Sequence, residues 1–308
     1  MTTTEQNEAL RAGEPLAGVV RGGESSGAGG RAQLDSDAVR RLIVENTENF
    51  PVGSFLIPPD CRPHVYAFYQ YARNADDIAD SATLSVEEKL RRLNPAHDAL
   101  GVDEGALPDW AVSYHRSLIE TGNTPRHGRD LLSAFIQDVT KLRYRDWDDL
   151  VDYCMRSAAS VGRVMMDIHG ETDADFEGSD ALCNALQVLN HLQDCKKDYL
   201  NLDRVYLPEP WLQEEGGSVE DLALPSATPA VRRVIERCLD GTDDLLARAQ
   251  TMPPSVRRRG LRLESALILA LAKKLSGRLR REDPLARRVK VSKAGWILCG
   301  VKGALTSW

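Results

Sequence analysis

The chain has 308 residues, 42% of them hydrophobic and 28% charged, with a formal net charge of −7. That composition is typical of a soluble globular protein whose core is large enough to enclose a cavity. The acidic balance argues against nucleic acid as a partner, since phosphate contacts need a basic surface. No apolar run reaches the ~18 residues of a membrane-spanning helix.

Residues 1–34 centre on GGESSGAGG and offer little apolar surface to bury, so they read as a disordered tail. The rest, 35–308, reads as one helical domain. The start, TTTEQNEALRAGEP, has neither the basic residues nor the apolar run of a secretory signal. Cys61, Cys154, Cys183, Cys195, Cys238 and Cys299 are scattered, with no Cys-x-x-Cys pair. They read as reduced thiols of a cytoplasmic protein.

In HVYAFYQYARNADDIADSA (64–82) the residues Val65, Phe68, Tyr69, Ala72, Ala75, Ile78 and Ala79 recur at helical spacing, not in alternation. The same periodicity predicts helices over 130–142, 149–170, 181–199, 230–250 and 261–281. Ser85-Val86-Glu87-Glu88, Asp146-Trp147-Asp148 and the prolines at 208–210, 225–229 and 253–254 punctuate them. No hairpin signal appears, so the fold class is all-α.

Two of these helices carry more negative charge than a helix tolerates without cause. Asp76, Asp77 and Asp80 share one face, with Arg73 a turn earlier. Like charges at this spacing cost roughly 0.2–0.5 kcal/mol per pair when exposed, and Arg73 is expected to offset one carboxylate of the three. About a hundred residues on, Gln187, Asn190, Asp194 and Asp198 form a polar stripe on a helix that also carries Leu186, Val188, Leu189 and Leu192. A helix so apolar is buried, and its polar stripe must be satisfied by something. Either cluster alone fits a solvated helix face. Together they fit two walls of a bundle that face a metal site. Oxygen ligands without paired His or Cys suit magnesium or manganese. Arg73, Lys196, Lys197 and Arg204 add charge suited to a phosphate group. There is no Gly-x-x-x-x-Gly-Lys-Ser/Thr loop and no dinucleotide fingerprint.

At YQYARNADDIAD (69–80), YCMRSAASVGRVM (153–165) and QVLNHLQDCKKDY (187–199) followed by RVYLP (204–208), the sequence resembles the squalene/phytoene synthase family over nearly all of 40–290. The resemblance implies an isoprenoid-synthase helical bundle with a central apolar cavity, and Mg2+ as cofactor. It places metal ligands at Asp76, Asp77, Asp80, Asp194 and Asp198. Arg73, Gln187, Asn190, Lys197 and Arg204 are then expected to bind a prenyl diphosphate, with Tyr69, Arg73 and Tyr206 as catalytic residues.

Two departures lower the positive charge. Thr47-Glu48-Asn49-Phe50-Pro51 stands where many members have Ser-Lys-Ser-Phe, and Gln193 stands where an arginine often precedes the first Asp of the second motif. ENFPVGSFLIPPDCRPHVYAFY, SAASVGR and DPLARRVKVSKAG resemble the hydroxysqualene synthases of bacterial hopanoid pathways, whose substrate carries one diphosphate. That branch implies ionisation of presqualene diphosphate and capture of the cation by water. Tyr66, Phe68, Tyr69 and Tyr206 are candidates to face the cation. His64, His169 and His191 read as structural, and Cys154 and Cys195 as buried thiols. The basic run Arg278–Lys293 with AGWILCGVKGALTSW fits either peripheral contact with the inner membrane surface or a charged face beside a core helix. Other enzymes of the squalene pathway are possible partners. The alternatives are an enzyme that condenses two prenyl diphosphates to presqualene diphosphate, squalene or phytoene, and a non-catalytic helical binding protein.

Overall fold

Four short polar side chains set where helices begin. Ser85, Asp146, Asp175 and Thr228 each accept a hydrogen bond from the backbone N–H three residues on, at Glu88, Asp149, Gly178 and Val231. Each satisfies an N–H that has no partner within its helix. The computed structural model describes residues 57–291. Among these there is no strand, only a single β-bridge between Arg143 and Val205. In chain order the helices are α1 (Arg62–Ala79), α2 (Val86–Ala99), α3 (Asp109–Thr121), α4 (Arg126–Asp138), α5 (Trp147–Cys154), α6 (Ser160–His169), α7 (Phe176–Leu202), α8 (Glu209–Glu214), α9 (Pro229–Arg248), α10 (Met252–Ser255) and α11 (Arg259–Leu279). The tail expected over 1–34, Thr47–Pro51, Cys299 and the C-terminal AGWILCGVKGALTSW lie outside the described residues.

Helix α7 is the centre. Ala185, Val188, Leu189 and Leu192 on it are buried to 1% or less, and it packs against α5, α6, α9 and α11. Its contacts join Leu150, Tyr153, Tyr206, Val234, Leu239 and Leu275 in the larger core. A second core holds Phe68, Tyr71, Leu93, Tyr114 and Leu132 from α1 to α4. The five described cysteines are unpaired, as expected of thiols held in a core.

Two predicted helices differ from what forms. Over 149–170 the chain is not one regular helix, because Met155–Ala159 form a π-helical turn between α5 and α6. Such turns recur at functional sites. Helix α4 ends at Asp138, short of the expected Leu142, because Leu142 and Tyr144 turn their carbonyls to Val205 N–H and Glu209 N–H (2.9 and 3.1 Å). The basic run is largely engaged where it is described. Arg278 pairs with Glu282, Arg280 with Asp240 and Asp243, and Arg287 with Glu282. No described helix is long and apolar enough to cross a membrane.

Helices α6 and α7 meet where a side chain is missing. A Cβ on Gly162 would lie 2.6 Å from Cys183 Sγ and 3.0 Å from Ser179 Oγ. Gly162→Ala should therefore destabilise the fold by about 1–3 kcal/mol. Adding Cys183→Ala should recover part of that loss in thermal melts, and a strictly additive pair would remove the close contact as the cause.

Glu264 on α11 is 8% exposed, and burial alone raises its carboxyl from 4.5 to about 7. The folded chain keeps this proton where the unfolded chain has released it. Its stabilising contribution is full below about pH 4.5 and is lost as pH rises to about 7. A shift of this size corresponds to about 3 kcal/mol. Urea unfolding of Glu264→Gln should show stability rising relative to the parent across that window and level above it. Parallel pH profiles would show that Glu264 is charged in the folded chain.

Candidate active site

Helix α1 ends in the first acidic cluster, and each carboxylate there meets an arginine. Arg73 spans two of them, with Nη1 3.3 Å from Asp76 and Nη2 2.7 Å from Asp77. The expectation that Arg73 offsets a single carboxylate is therefore corrected: its fork reaches i+3 and i+4 at once. Asp80 takes its partner from 124 residues away, with Arg204 Nη1 at 3.0 Å.

Arg204 is held from several sides. Asp203 before it adopts a left-handed conformation (φ 50°) that ends α7, and the bridge at Val205 fixes the strand-like stretch after it. The guanidinium donates to the carbonyl of Asp138 at 3.0 Å and lies 3.8 Å from the Asp138 carboxylate. It is 6% exposed. Asp138 accepts from Tyr153 Oη at 2.7 Å. Burial, outweighing Arg204, pushes the Asp138 carboxyl up to about 7, with Asp80 and Asp76 adding to the rise.

The second acidic stripe faces the same place. Asp198 is raised to about 7, first by burial and then by the like charge of Asp194, and it also feels Lys197, Arg204 and Asp80. Asp80 and Asp198 are thus brought together from the ends of α1 and α7. Asp194 has Arg288 Nε at 3.9 Å. Gln193 is buried and donates to the carbonyl of Val289, next to Arg288. The positive charge missed at 193 in the sequence is therefore supplied from the segment after α11. Among the described residues no three His, Cys, Asp or Glu side chains form a ready-made metal shell. The carboxylates instead form two small groups on two helices.

Other expected residues separate clearly. Tyr69 lies beside Arg73 and adds to the field around it. Tyr206 is buried and 3.4 Å from Arg204 Nη1. Gln187 and Asn190 are half-buried on the stripe face, and Lys197 is exposed beside it. Lys196 is not available to a phosphate as expected, because its ammonium donates to the carbonyls of Leu224 (2.8 Å) and Leu285 (3.4 Å). Phe68 is not positioned to face a cation. It is 4% exposed in the second core, with its ring 5.2 Å from that of Tyr114. Tyr66 accepts from Gln70. His64 bonds Ser117 and His169 bonds the carbonyl of Met165, both structural contacts. Reading the sequence missed Asp138, Tyr153 and Arg288. Asp138 carried no distinctive signal, since 130–142 also holds Asp130, Gln137 and Lys141.

A family model for squalene/phytoene synthase matches residues 43–295. The chain belongs to the squalene/phytoene synthase family. A hydroxysqualene synthase from Rhodopseudomonas palustris is 42% identical over 260 residues, covering 84% of this chain and 88% of the relative. One from Sinorhizobium fredii is 41% identical, covering 92% and 93%. The solved squalene synthase of Alicyclobacillus acidocaldarius superposes with a TM-score of 0.66 at 30% identity, over 80% of this chain and 92% of that one. A dehydrosqualene synthase structure superposes with a TM-score of 0.68 at 21% identity, over 88% and 96%, a likeness of fold. As a member of the squalene/phytoene synthase family, the chain is a prenyl-diphosphate-processing enzyme with an all-α isoprenoid-synthase fold.

The Arg204–Asp138 contact gives a stability test. Arg204→Met leaves Asp138 buried without a counter-charge. Breaking a buried pair costs about 3–5 kcal/mol. The low end, about 3 kcal/mol, applies because the other partner, Asp80, is 39% exposed. Adding Asp138→Asn should recover part of the loss, as read from denaturant midpoints. No recovery would place the cost elsewhere in the Arg204 contacts.

Proposed function

We propose that the chain is a hydroxysqualene synthase, which ionises presqualene diphosphate and returns hydroxysqualene and diphosphate. The observation that carries this reading is the 41–42% identity to hydroxysqualene synthases over 84–92% of the chain. The convergence of the acidic ends of α1 and α7 supports it.

The donor set fits magnesium. Asp198 is pushed up to about 7 by burial and by Asp194, so the site holds more carboxylate than its arginines neutralise. Asp76, Asp77 and Asp80 on one side and Asp194 and Asp198 on the other would hold the ions. Magnesium commonly takes one or two carboxylates with substrate phosphate oxygens and water, which suits two small groups better than one full shell. When bound, it supplies Lewis-acid withdrawal of charge from the leaving diphosphate.

The chain's own residues do the rest. Arg73, Lys197 and Arg204, joined by Arg288, grip the departing diphosphate, and Gln187 and Asn190 orient it. Tyr69 turns its ring face and hydroxyl dipole towards the cation, and Tyr206, its ring stacked on His191 and Tyr144, adds a hydroxyl dipole held by Arg204. Tyr153 and Asp138 behind Tyr206 keep the wall polar without a full negative charge. The isoprenoid chains lie in an apolar channel that keeps bulk water from the cation. The enzyme works in the cytoplasm, receives its substrate from a condensing enzyme of the same pathway, and meets the membrane at most peripherally.

Product analysis by mass spectrometry tests the reading. With magnesium, presqualene diphosphate alone should give hydroxysqualene, and farnesyl diphosphate should give nothing, with or without NADPH. Presqualene diphosphate or squalene formed from farnesyl diphosphate would replace the reading with a condensing activity. Asp194→Asn should lower turnover by about 100-fold or more, as should removal of magnesium with EDTA. Turnover that persists in EDTA would exclude the metal assignment.

A further inference from the structure

Among the buried polar atoms near the site that lack a hydrogen-bond partner, two have no charged group to answer them. His191 Nε2 and Ser157 Oγ are closed to solvent and have no hydrogen-bond partner among the described residues. Their residues are 6% and 8% exposed. Buried polar atoms are nearly always paired, and an exception calls for a water or a functional role.

Position narrows the role. On α7, His191 stands four residues after Gln187, three before Asp194 and seven before Asp198. That spacing puts it in the middle of the polar stripe. Its ring stacks on Tyr206, with centroids 3.4 Å and planes 15° apart, and its centroid is 5.9 Å from that of Tyr153. Ser157 lies in the π turn four residues after Tyr153, on the segment that packs against α7. Asp138 Oδ1 and Arg204 Nε, also without hydrogen-bond partners, lie 3.8 Å apart and answer each other's charge. The remaining unpartnered atoms do not share this setting. Tyr114 and His127 sit on α3 and α4 away from the stripe, and Asn184 is turned to Met155 Sδ.

We propose that His191 and Ser157 hold the water molecule that captures the carbocation. The proposal rests on the hydroxysqualene reading and names the nucleophile's site within it. The reaction needs one water at the cation and no column of water behind it. Open solvent would quench the first cation formed, and a fully dry wall would leave only proton loss to a polyene. A water held by a few buried polar atoms meets both demands. Burial, with the Arg204 charge second, holds His191 down at about 3, so its imidazole is neutral and offers a lone pair. A lone pair of the water oxygen forms the C–O bond to the cation. One water O–H bond breaks, and the proton passes to the imidazole and on to the released diphosphate. No electrons are exchanged with any cofactor.

The test is the ratio of alcohol to hydrocarbon among the C30 products of presqualene diphosphate with magnesium, in the full-length enzyme. A general loss of folded enzyme does not move this ratio. His191→Phe keeps the stack on Tyr206 and removes the nitrogens. Ser157→Ala removes only the hydroxyl. Each should lower the alcohol share about tenfold, as expected for loss of one or two hydrogen bonds in the capture step, with dehydrated C30 hydrocarbons in its place. His191→Asn, which restores an acceptor, should recover part of the alcohol. An unchanged ratio in His191→Phe and Ser157→Ala overturns the proposal. If circular dichroism shows that His191→Phe does not fold, Ser157→Ala decides, and an unchanged ratio there overturns it. A parent enzyme that forms no hydroxysqualene at all overturns the functional reading as well, so the two failures are distinguishable.

Discussion

The burial of Arg204 between Asp80 and Asp138 is the constraint on which the site depends. One guanidinium ties the end of α1 to the end of α4, and its own backbone follows directly from α7. A buried cation needs its charge answered, and here Nη1 and Nη2 are hydrogen-bonded while Nε faces the Asp138 carboxylate at 3.8 Å. That requirement explains features that look unrelated. Asp203 accepts a left-handed backbone so that α7 stops one residue earlier, and Arg143 holds both the Asp203 carbonyl and its carboxylate. The bridge between Arg143 and Val205 then fixes Tyr206 against Tyr144, Tyr153 and His191. Helix α4 ends at Asp138 because the next residues serve this same corner.

The corner is under-neutralised by design of its surroundings. Asp138 and Asp198 are both raised to about 7, and burial is the leading cause for each. Arg73, Arg204 and Arg288 are all present, yet each is already engaged by a carboxylate. On the proposed reading a diphosphate would bring more negative charge, and substrate and cations would have to enter together for the site to balance. Coupling of this kind would make leaving-group departure depend on the assembled site, not on any single arginine.

Much of this was legible in the sequence because it is local. The pattern Asp76, Asp77, Asp80 and the stripe Gln187, Asn190, Asp194, Asp198 are properties of single helices, and a period of 3.6 reveals them. The helix starts at Ser85 and Asp146 were readable for the same reason. What was not legible is non-local. Asp138 and Tyr153 become site residues only when α4, α5 and Arg204 converge. Arg288 reaches Asp194 across 94 residues of chain, positioned by a Gln193 that looked like a lost charge. His191 is the instructive case. The sequence reads it as a structural histidine, as a single histidine in an apolar helix usually is, and its unbonded nitrogen is what points to a further role.

Local rules are broken in this fold mainly where chemistry is expected. Unpaired or strongly raised groups at His191, Ser157, Asp138 and Asp198 lie around one corner, whereas the caps at Ser85, Asp146, Asp175 and Thr228 are satisfied. A folded chain tolerates such violations when the rest of the sequence agrees with the structure, and function is the usual reason they persist. Glu264 shows why clustering matters more than the violation itself. It is buried and raised to about 7 like Asp198, but burial is the whole of its shift and no other charged group contributes. Its effect is therefore on stability alone, while the same chemistry beside Arg204, Asp80 and the stripe of α7 becomes a site.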